Sequence, residues 1–399
     1  MKKDADITST ENLTSLFLYA NEPDALTVQK MEFLANESPW RICLVFWHRV
    51  NSLLSIQATM GLPSENVTCI SGKVGLSWIA KVFYRLAIMV RFVVQSVKVR
   101  PAVIHACTLD MLLVGFVVRA LRPGTKLIFD LQDTSNGMLH PLMLWIQRFL
   151  FRRCSVIFVT SKRFHTHFLR EFRLVNEGKV PVIYVPNTPL SERFSGFNRR
   201  VPDTEIVIGC IGTFRSPNAL EALIQTAGIL RAKRVNASVL FAGTGISRPL
   251  VERAARANPH IRYSGSYDYQ RDIKNLYERI DLVYAVYDSS HNKGIALACR
   301  LAEAVVCGVP VIVNSDTYMA EIVQELGIGF CVAQDIVGDL TAIVEKFSAD
   351  PSLRSKVRAA CEKVRSQFLF DTYKPRIREA YDNLLRDGHS QIVNGKVTF

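Results

Sequence analysis

Arg300 and Glu303 stand three residues apart in 295–306, a stretch with no internal glycine or proline that the pattern predicts as a helix. Three residues is nearly one helical turn, so the two side chains share a face. A guanidinium there suits a diphosphate, and a carboxylate one turn on suits ribose hydroxyls. The same spacing fits an i,i+3 surface ion pair, and spacing alone leaves both readings open. Gly212, Gly243 and Gly245 lie at the ends of apolar runs, where glycine lets backbone amides approach phosphates; each is otherwise a turn residue. Arg215 adds a second guanidinium three residues beyond Gly212. Farther up the chain, His105 sits near a strand end, either as a satisfied structural histidine or facing a cleft. Asp130 reads as a loop cap or a participant. Asp133 reads as a contact or base for an acceptor hydroxyl.

These residues need elements to hold them. Around Arg300 the pattern is strand 282–286, a polar loop, helix 295–306, a Cys307-Gly308 turn and strand 309–313. That is a βαβ crossover, with its polar loop at the carboxyl end of a parallel strand, where ligands bind in open α/β sheets. The alternation runs through the chain. Strands are expected at 15–20, 40–47, 66–71, 102–106, 126–130, 155–160 and 181–185, with helices at 25–35, 76–97, 109–121, 141–153 and 162–172. Residues 188–204, with two prolines and scattered charge, read as a linker. Strand–helix alternation then restarts at 206–211, with the helix after it, from about Ala219, aiming its positive end at phosphates. The fold class is therefore α/β, with two Rossmann-like, doubly wound parallel-sheet domains facing a cleft. The expected division is 1–195, 196–370, and a helix and tail over 371–399 that can return to the first domain.

At 399 residues, 49% of them hydrophobic, the chain can fill two cores. Its nine cysteines form no CxxC pair, which points to reduced core residues in a cytoplasmic protein rather than disulfides or a metal site. No signal peptide or membrane-spanning run is expected. The charge is lopsided: residues 1–200 hold 25 Lys+Arg against 14 Asp+Glu, and residues 201–399 hold 24 against 22. A basic first half implies an anionic partner. Nucleic acid is disfavoured because no recognition module is present. Two amphipathic stretches, 78–98 and 138–153, put Trp145, Phe149 and Phe151 beside Arg148, Arg152 and Arg153. They read as membrane-touching helices or as core helices with solvated basic faces.

Several short motifs carry a resemblance. They are Gly209-Cys210-Ile211-Gly212-Thr213-Phe214-Arg215, Phe241-Ala242-Gly243-Thr244-Gly245, Leu276-Tyr277 with Ile280-Asp281, and Glu303-Ala304 with Gly308-Val309-Pro310-Val311-Ile312. In order and spacing this set resembles the retaining GT-B glycosyltransferases of the GT4 type. The segment 103–110, with His105, and Pro186-Asn187 resemble that family's first-domain and hinge motifs. The resemblance implies a donor-binding second domain in which Glu303 holds the ribose. Departures stand at Thr213, Asn218, Ile295 and Cys107, and they leave Arg300, aided by Arg215, for the diphosphate.

The activity so implied moves a sugar from a nucleotide-sugar donor to a glycan or lipid-linked acceptor in bacterial-type surface polysaccharide synthesis. No cofactor or metal is expected. Expected partners are the donor, the acceptor and an anionic membrane, placing the protein in the cytoplasm at the inner face of the cell membrane. His105, Asp133 and Arg300 are the catalytic candidates; Gly212, Arg215, Gly243, Gly245, Arg300 and Glu303 are the donor-binding ones. A degenerate, non-catalytic partner subunit and a nucleotide-sugar 2-epimerase are the alternatives.

Overall fold

The computed structural model describes residues 13–21, 23, 25–48, 63–71, 78–134, 136–176, 178–199, 204–288 and 294–386. Ser289 to Lys293 of the polar loop, and the side chains of Trp78 and Lys81, fall outside the described residues. The chain forms two compact units. Its described residues as far as Pro186, joined by those from Lys374 onward, make the first; Asn187–Tyr373 make the second.

In the first unit the order is β1 (Thr14–Tyr19), α1 (Ala25–Glu37), β2 (Arg41–His48), β3 (Val67–Ser71), α2 (Trp78–Val99) and β4 (Val103–Ala106). Then come α3 (Leu109–Leu121), β5 (Lys126–Leu131), α4 (Pro141–Phe151), β6 (Val156–Val159) and β7 (Val182–Tyr184). The strands form one parallel sheet in the order β3-β2-β1-β4-β5-β6-β7. β4 and β6 are short runs buried along their whole length, which is what a sheet covered on both faces demands. The helix expected over 162–172 is a π-helical stretch, Phe164–Arg170.

The second unit continues with β8 (Ile206–Thr213), α5 (Pro217–Ala232), β9 (Ala237–Thr244), α6 (Arg248–Ala257), β10 (Ile261–Tyr263), α7 (Tyr269–Tyr277) and β11 (Leu282–Ala285). It ends with α8 (Cys299–Val306), β12 (Val311–Asn314), α9 (Tyr318–Leu326), β13 (Gly329–Val332), α10 (Ile336–Ala349) and α11 (Pro351–Val364). Its sheet is also parallel, ordered β10-β9-β8-β11-β12-β13. Local chemistry sets the helix ends. The Asp268, Thr317, Asp335 and Asp350 side chains cap α7, α9, α10 and α11, and Gly327 closes α9 in the left-handed conformation.

Two expectations change. The helix predicted from 295 begins only at Cys299, because Ala298 is extended (φ −74°, ψ 136°). The stretch 188–204 is not a free linker as far as Arg199. Phe194 is fully buried and meets Tyr277 edge-on at 5.8 Å, Arg199 pairs with Asp281 at 2.6 Å, and Lys274 Nζ donates to Ser195 O. The division therefore falls at Pro186–Asn187 rather than at 195–196. One apolar anchor and one buried carboxylate outweigh a polar, proline-containing composition. At the other end, α12 (Lys374–Arg386) packs with the first unit, where Lys374 reaches Glu37 at 2.8 Å.

Candidate functional site

In the second sheet the connections run outward in opposite directions from the neighbours β8 and β11. This is a topological switch point, and ligands bind beyond the carboxyl ends of the strands there. β8 ends at Gly212-Thr213, while Tyr287 and Asp288 follow β11. Arg300, in the first turn of α8, reaches the same place. Its Nη1 donates to Tyr287 Oη at 3.2 Å, and its guanidinium lies 5.6 Å from the Tyr287 ring centre. The guanidinium packs on the bare Cα of Gly212, where a β-carbon would collide with it, and Gly212 has φ +115°. Arg300 is partly exposed and, among the described residues, pairs with no carboxylate. Its charge is available to an anion.

Glu303 lies on the same helix, 2% exposed, so the surface ion-pair reading does not hold. Tyr277 Oη donates to its Oε2 at 2.9 Å, and the Tyr269 phenol stands beside the same carboxylate. Burial raises the Glu303 carboxyl above its ordinary value, against the tyrosine hydrogen bonding and the Arg300 charge. Tyr267, Tyr269 and Tyr287 surround the pair, and burial raises all three phenols. The arrangement is a cation and a buried carboxylate one helical turn apart within a wall of tyrosines. Tyr277 and Tyr287 were not singled out from sequence as partners of these two residues. Tyr277 lay inside a quoted motif, but nothing in its spacing pointed at Glu303, which is 26 positions away.

Gly243 does not serve as expected. Its amide donates to Gly265 O at 2.7 Å, and a β-carbon there would strike the Gly212 backbone opposite it in the β8–β9 ladder. Gly245 likewise abuts the Phe214 backbone. Both glycines let two strand ends close up. The α5 N-terminus is also taken. Asp288 accepts from Ala219 N at 2.9 Å and from Asn218 N at 3.3 Å, so a carboxylate of the chain fills the anion seat expected for phosphate. Arg215 is exposed, and its guanidinium makes no hydrogen bond or ion pair among the described residues. A cavity of about 760 Å³ opens past β11–β13, lined by Asn218, Tyr287, Asp288, Asn314, Asp316 and Asp335 among others. Its acidic wall suits hydroxyls rather than a diphosphate.

In the first unit, His105 is fully buried, stacked on Phe17 at 4.3 Å, with Nδ1 at 2.9 Å from Tyr381 Oη and Nε2 at 3.3 Å from Asp130 Oδ2. Lys30 Nζ reaches the same carboxylate oxygen at 2.5 Å. Burial holds the His105 imidazole below its ordinary value, against the pull of Asp130. Burial works to raise the Asp130 carboxyl, but Lys30 and His105 hold it well below the usual range. His105 is thus a core group tying β4, β5 and α12 together, and the catalytic expectation for it is corrected. Its place one residue before the end of β4 turns the ring into the core. His105, Cys107 and Asp130 offer ligand atoms within 4.8 Å of one another, but the Lys30 ammonium already supplies the positive charge there. Asp133, two residues past the end of β5, is exposed and accepts from Thr134 N at 2.9 Å.

Residues 192–364 match the sequence profile of the family described as glycosyl transferases group 1. The second domain is a glycosyl transferases group 1 domain. No curated protein matches the chain by sequence. Among solved structures, Anabaena HepE in complex with UDP and glucose superposes with TM-score 0.68 at 16% identity, covering 93% of this chain and 100% of that one. Sucrose-phosphate synthase from Thermosynechococcus elongatus gives 0.69 at 15%, with 94% and 100% covered. A putative UDP-N-acetylglucosamine 2-epimerase from Listeria monocytogenes gives 0.66 at 13%, with 96% and 100% covered. At such identities these likenesses establish the shared GT-B architecture of two parallel α/β domains. Within the group 1 domain, the switch point holds Gly212, Tyr287, Arg300 and Glu303.

Proposed function

We propose that the protein transfers a sugar from a nucleotide-sugar donor, with retention of anomeric configuration as in the GT4 type. The observation that carries this is Arg300: an unpaired guanidinium seated on Gly212 at the switch point, with Glu303 one turn away. The donor diphosphate would lie against Arg300, and its ribose toward the Glu303 carboxylate. Retention needs little acid–base machinery. The acceptor oxygen bonds to the anomeric carbon as the carbon–diphosphate bond breaks, and the acceptor proton passes to the leaving diphosphate oxygen. Arg300 stabilises the charge that grows there. The burial of His105 and Asp130 is consistent with this economy, and the reading invokes no metal. HepE is complexed with UDP and glucose, which makes UDP the first donor base to test. Asp133, exposed in the first domain, is assigned to the acceptor. That acceptor is a glycan or lipid-linked saccharide of a surface polysaccharide, a choice supported by the basic first half of the chain. The same charge supports a protein held peripherally at the inner membrane face, and its nine free cysteines support a cytoplasmic setting.

Isothermal titration with UDP and GDP tests the donor site. Binding of either nucleotide, weakened by Arg300→Ala, is the expected result. Absence of binding to both would leave the alternative, a non-catalytic partner subunit.

A further inference from the structure

The connections β3→α2→β4, β4→α3→β5 and β5→α4→β6 all advance in one direction across the first sheet. Right-handed crossovers therefore lay α2, α3 and α4 side by side on one face. The helices touch in that order. Phe116 of α3 meets Phe149 of α4 at 5.3 Å, and Arg119 Nη1 donates to Arg153 O at 2.6 Å. Their outer surfaces are apolar. α2 exposes Phe83 (69%), Leu86, Val90 (61%) and Val94 at intervals of three and four, which is a single stripe. α3 exposes Leu113, Val117 and Leu121 (62%) every fourth residue. α4 exposes Leu142, Trp145 (62%) and Phe149 at the same kind of spacing. Ten of the thirteen exposed large hydrophobics among the described residues lie on these three helices, so this is a patch and not ordinary scatter.

The charge beside the stripes has one sign. Among its described side chains α2 carries Arg85, Arg91 and Lys98 with no acid, and α4 carries Arg148 with no acid. α3 holds Arg119 and a single acid, Asp110, in its first turn. No described helix is long and apolar enough to cross a bilayer. Apolar stripes with basic flanks, lying parallel to a surface, are the features of a monotopic interface helix set. A second copy on this face would bring basic flank against basic flank, which opposes pairing. We propose that the α2–α3–α4 face docks onto an anionic lipid leaflet, with α3, the helix that composition alone did not mark, at its centre. The face lies in the first domain and is argued independently of the donor site.

Charge reversal at Arg148 and Arg152 is a poor test, because their guanidinium groups hold the Phe172 and Arg173 carbonyls. The exposed apolar positions serve better. The full chain is sedimented with phosphatidylcholine vesicles, with and without phosphatidylglycerol. It is expected to bind the mixed vesicles, with binding falling as salt rises and little binding to pure phosphatidylcholine. Val90→Glu, Val117→Glu and Leu121→Glu combined should weaken that binding by at least about tenfold, with the melting transition and nucleotide titration unchanged. Brominated acyl chains in the mixed vesicles should quench tryptophan emission, and Trp145→Phe should remove part of that quenching. The proposal is overturned if the chain binds neither vesicle, if the glutamates leave binding intact, or if light scattering shows a dimer that they dissociate. UDP titration reports on the donor site separately, so either idea can fail alone.

Discussion

The Arg300 guanidinium occupies the space that any β-carbon on Gly212 would need. Position 212 thus requires glycine twice, for this contact and for its φ of +115°. The contact fixes the first turn of α8 against the end of β8. It presents a cation at the switch point with its outer face unpaired.

Gly212→Ala is therefore expected to displace the guanidinium and weaken nucleotide binding by more than its loss of stability suggests. Backbone strain at such a site costs about 1–3 kcal/mol. Gly243→Ala, whose β-carbon meets rigid Gly212 backbone instead of a side-chain end, should mainly lower Tm. Paired melts and titrations on both variants separate the two effects; identical profiles would mean Arg300 is not displaced.

Replacing Glu303 needs more care than a surface residue would. Ala at 303 strands the buried Tyr277 hydroxyl, a loss of about 1–3 kcal/mol of stability. Glu303→Gln keeps an acceptor for Tyr277 and removes only the charge. We expect the Gln variant to melt near wild type with weakened nucleotide affinity, and the Ala variant to lose both. Unchanged affinity in the Gln variant would assign Glu303 to packing alone.

Arg300→Ala should lower kcat by roughly 2–4 kcal/mol of barrier, the usual loss for a positioned charge stabiliser. Arg300→Lys keeps the charge but loses the fork and the seat on Gly212, so it should recover only part of the rate. Steady-state kinetics with the identified donor checks this, and turnover within threefold of wild type in the Ala variant would sink it.

His105 predicts a pH dependence of stability. Its folded value lies below the ordinary 6.5, so the unfolded chain takes up a proton that the folded chain refuses. The stability it contributes is complete above the ordinary 6.5 of the unfolded chain and is lost as pH falls from there toward the folded value, by at most about 1.4 kcal/mol per pH unit. Asp130, also depressed, acts in the same direction but in the more acidic carboxylate range. Denaturant melts from neutral pH down to about pH 5 should show a slope that His105→Gln reduces. An unchanged slope would mean other groups carry it.

Tyr381→Phe removes the hydroxyl shared by His105 Nδ1 and Ser15 Oγ, at 2.9 and 3.2 Å. A destabilisation of about 1–3 kcal/mol is expected from the buried partners left behind. A neutral result would show that α12 is held by packing with Trp40 rather than by this hydroxyl.

Much of the architecture can be read in the amino-acid order alone. Buried parallel strands need continuous apolar runs, and helices between them need amphipathic spacing; both are local properties. Two parallel α/β domains therefore follow from the pattern of residues, as does the shared helix face of Arg300 and Glu303. What faces what was decided only by the tertiary structure. His105 looked like a strand-end group because its neighbours in sequence are apolar, yet Asp130, Lys30 and Tyr381 come from three other elements to enclose it. Asp288 took the α5 amides because β11 is the neighbour of β8, a pairing that no local pattern encodes. The basic, apolar stretches 78–98 and 138–153 were visible singly. The right-handed crossovers of the sheet set α3 between them, and with it made one continuous apolar face, because strand order, not sequence order, fixes which helices lie side by side.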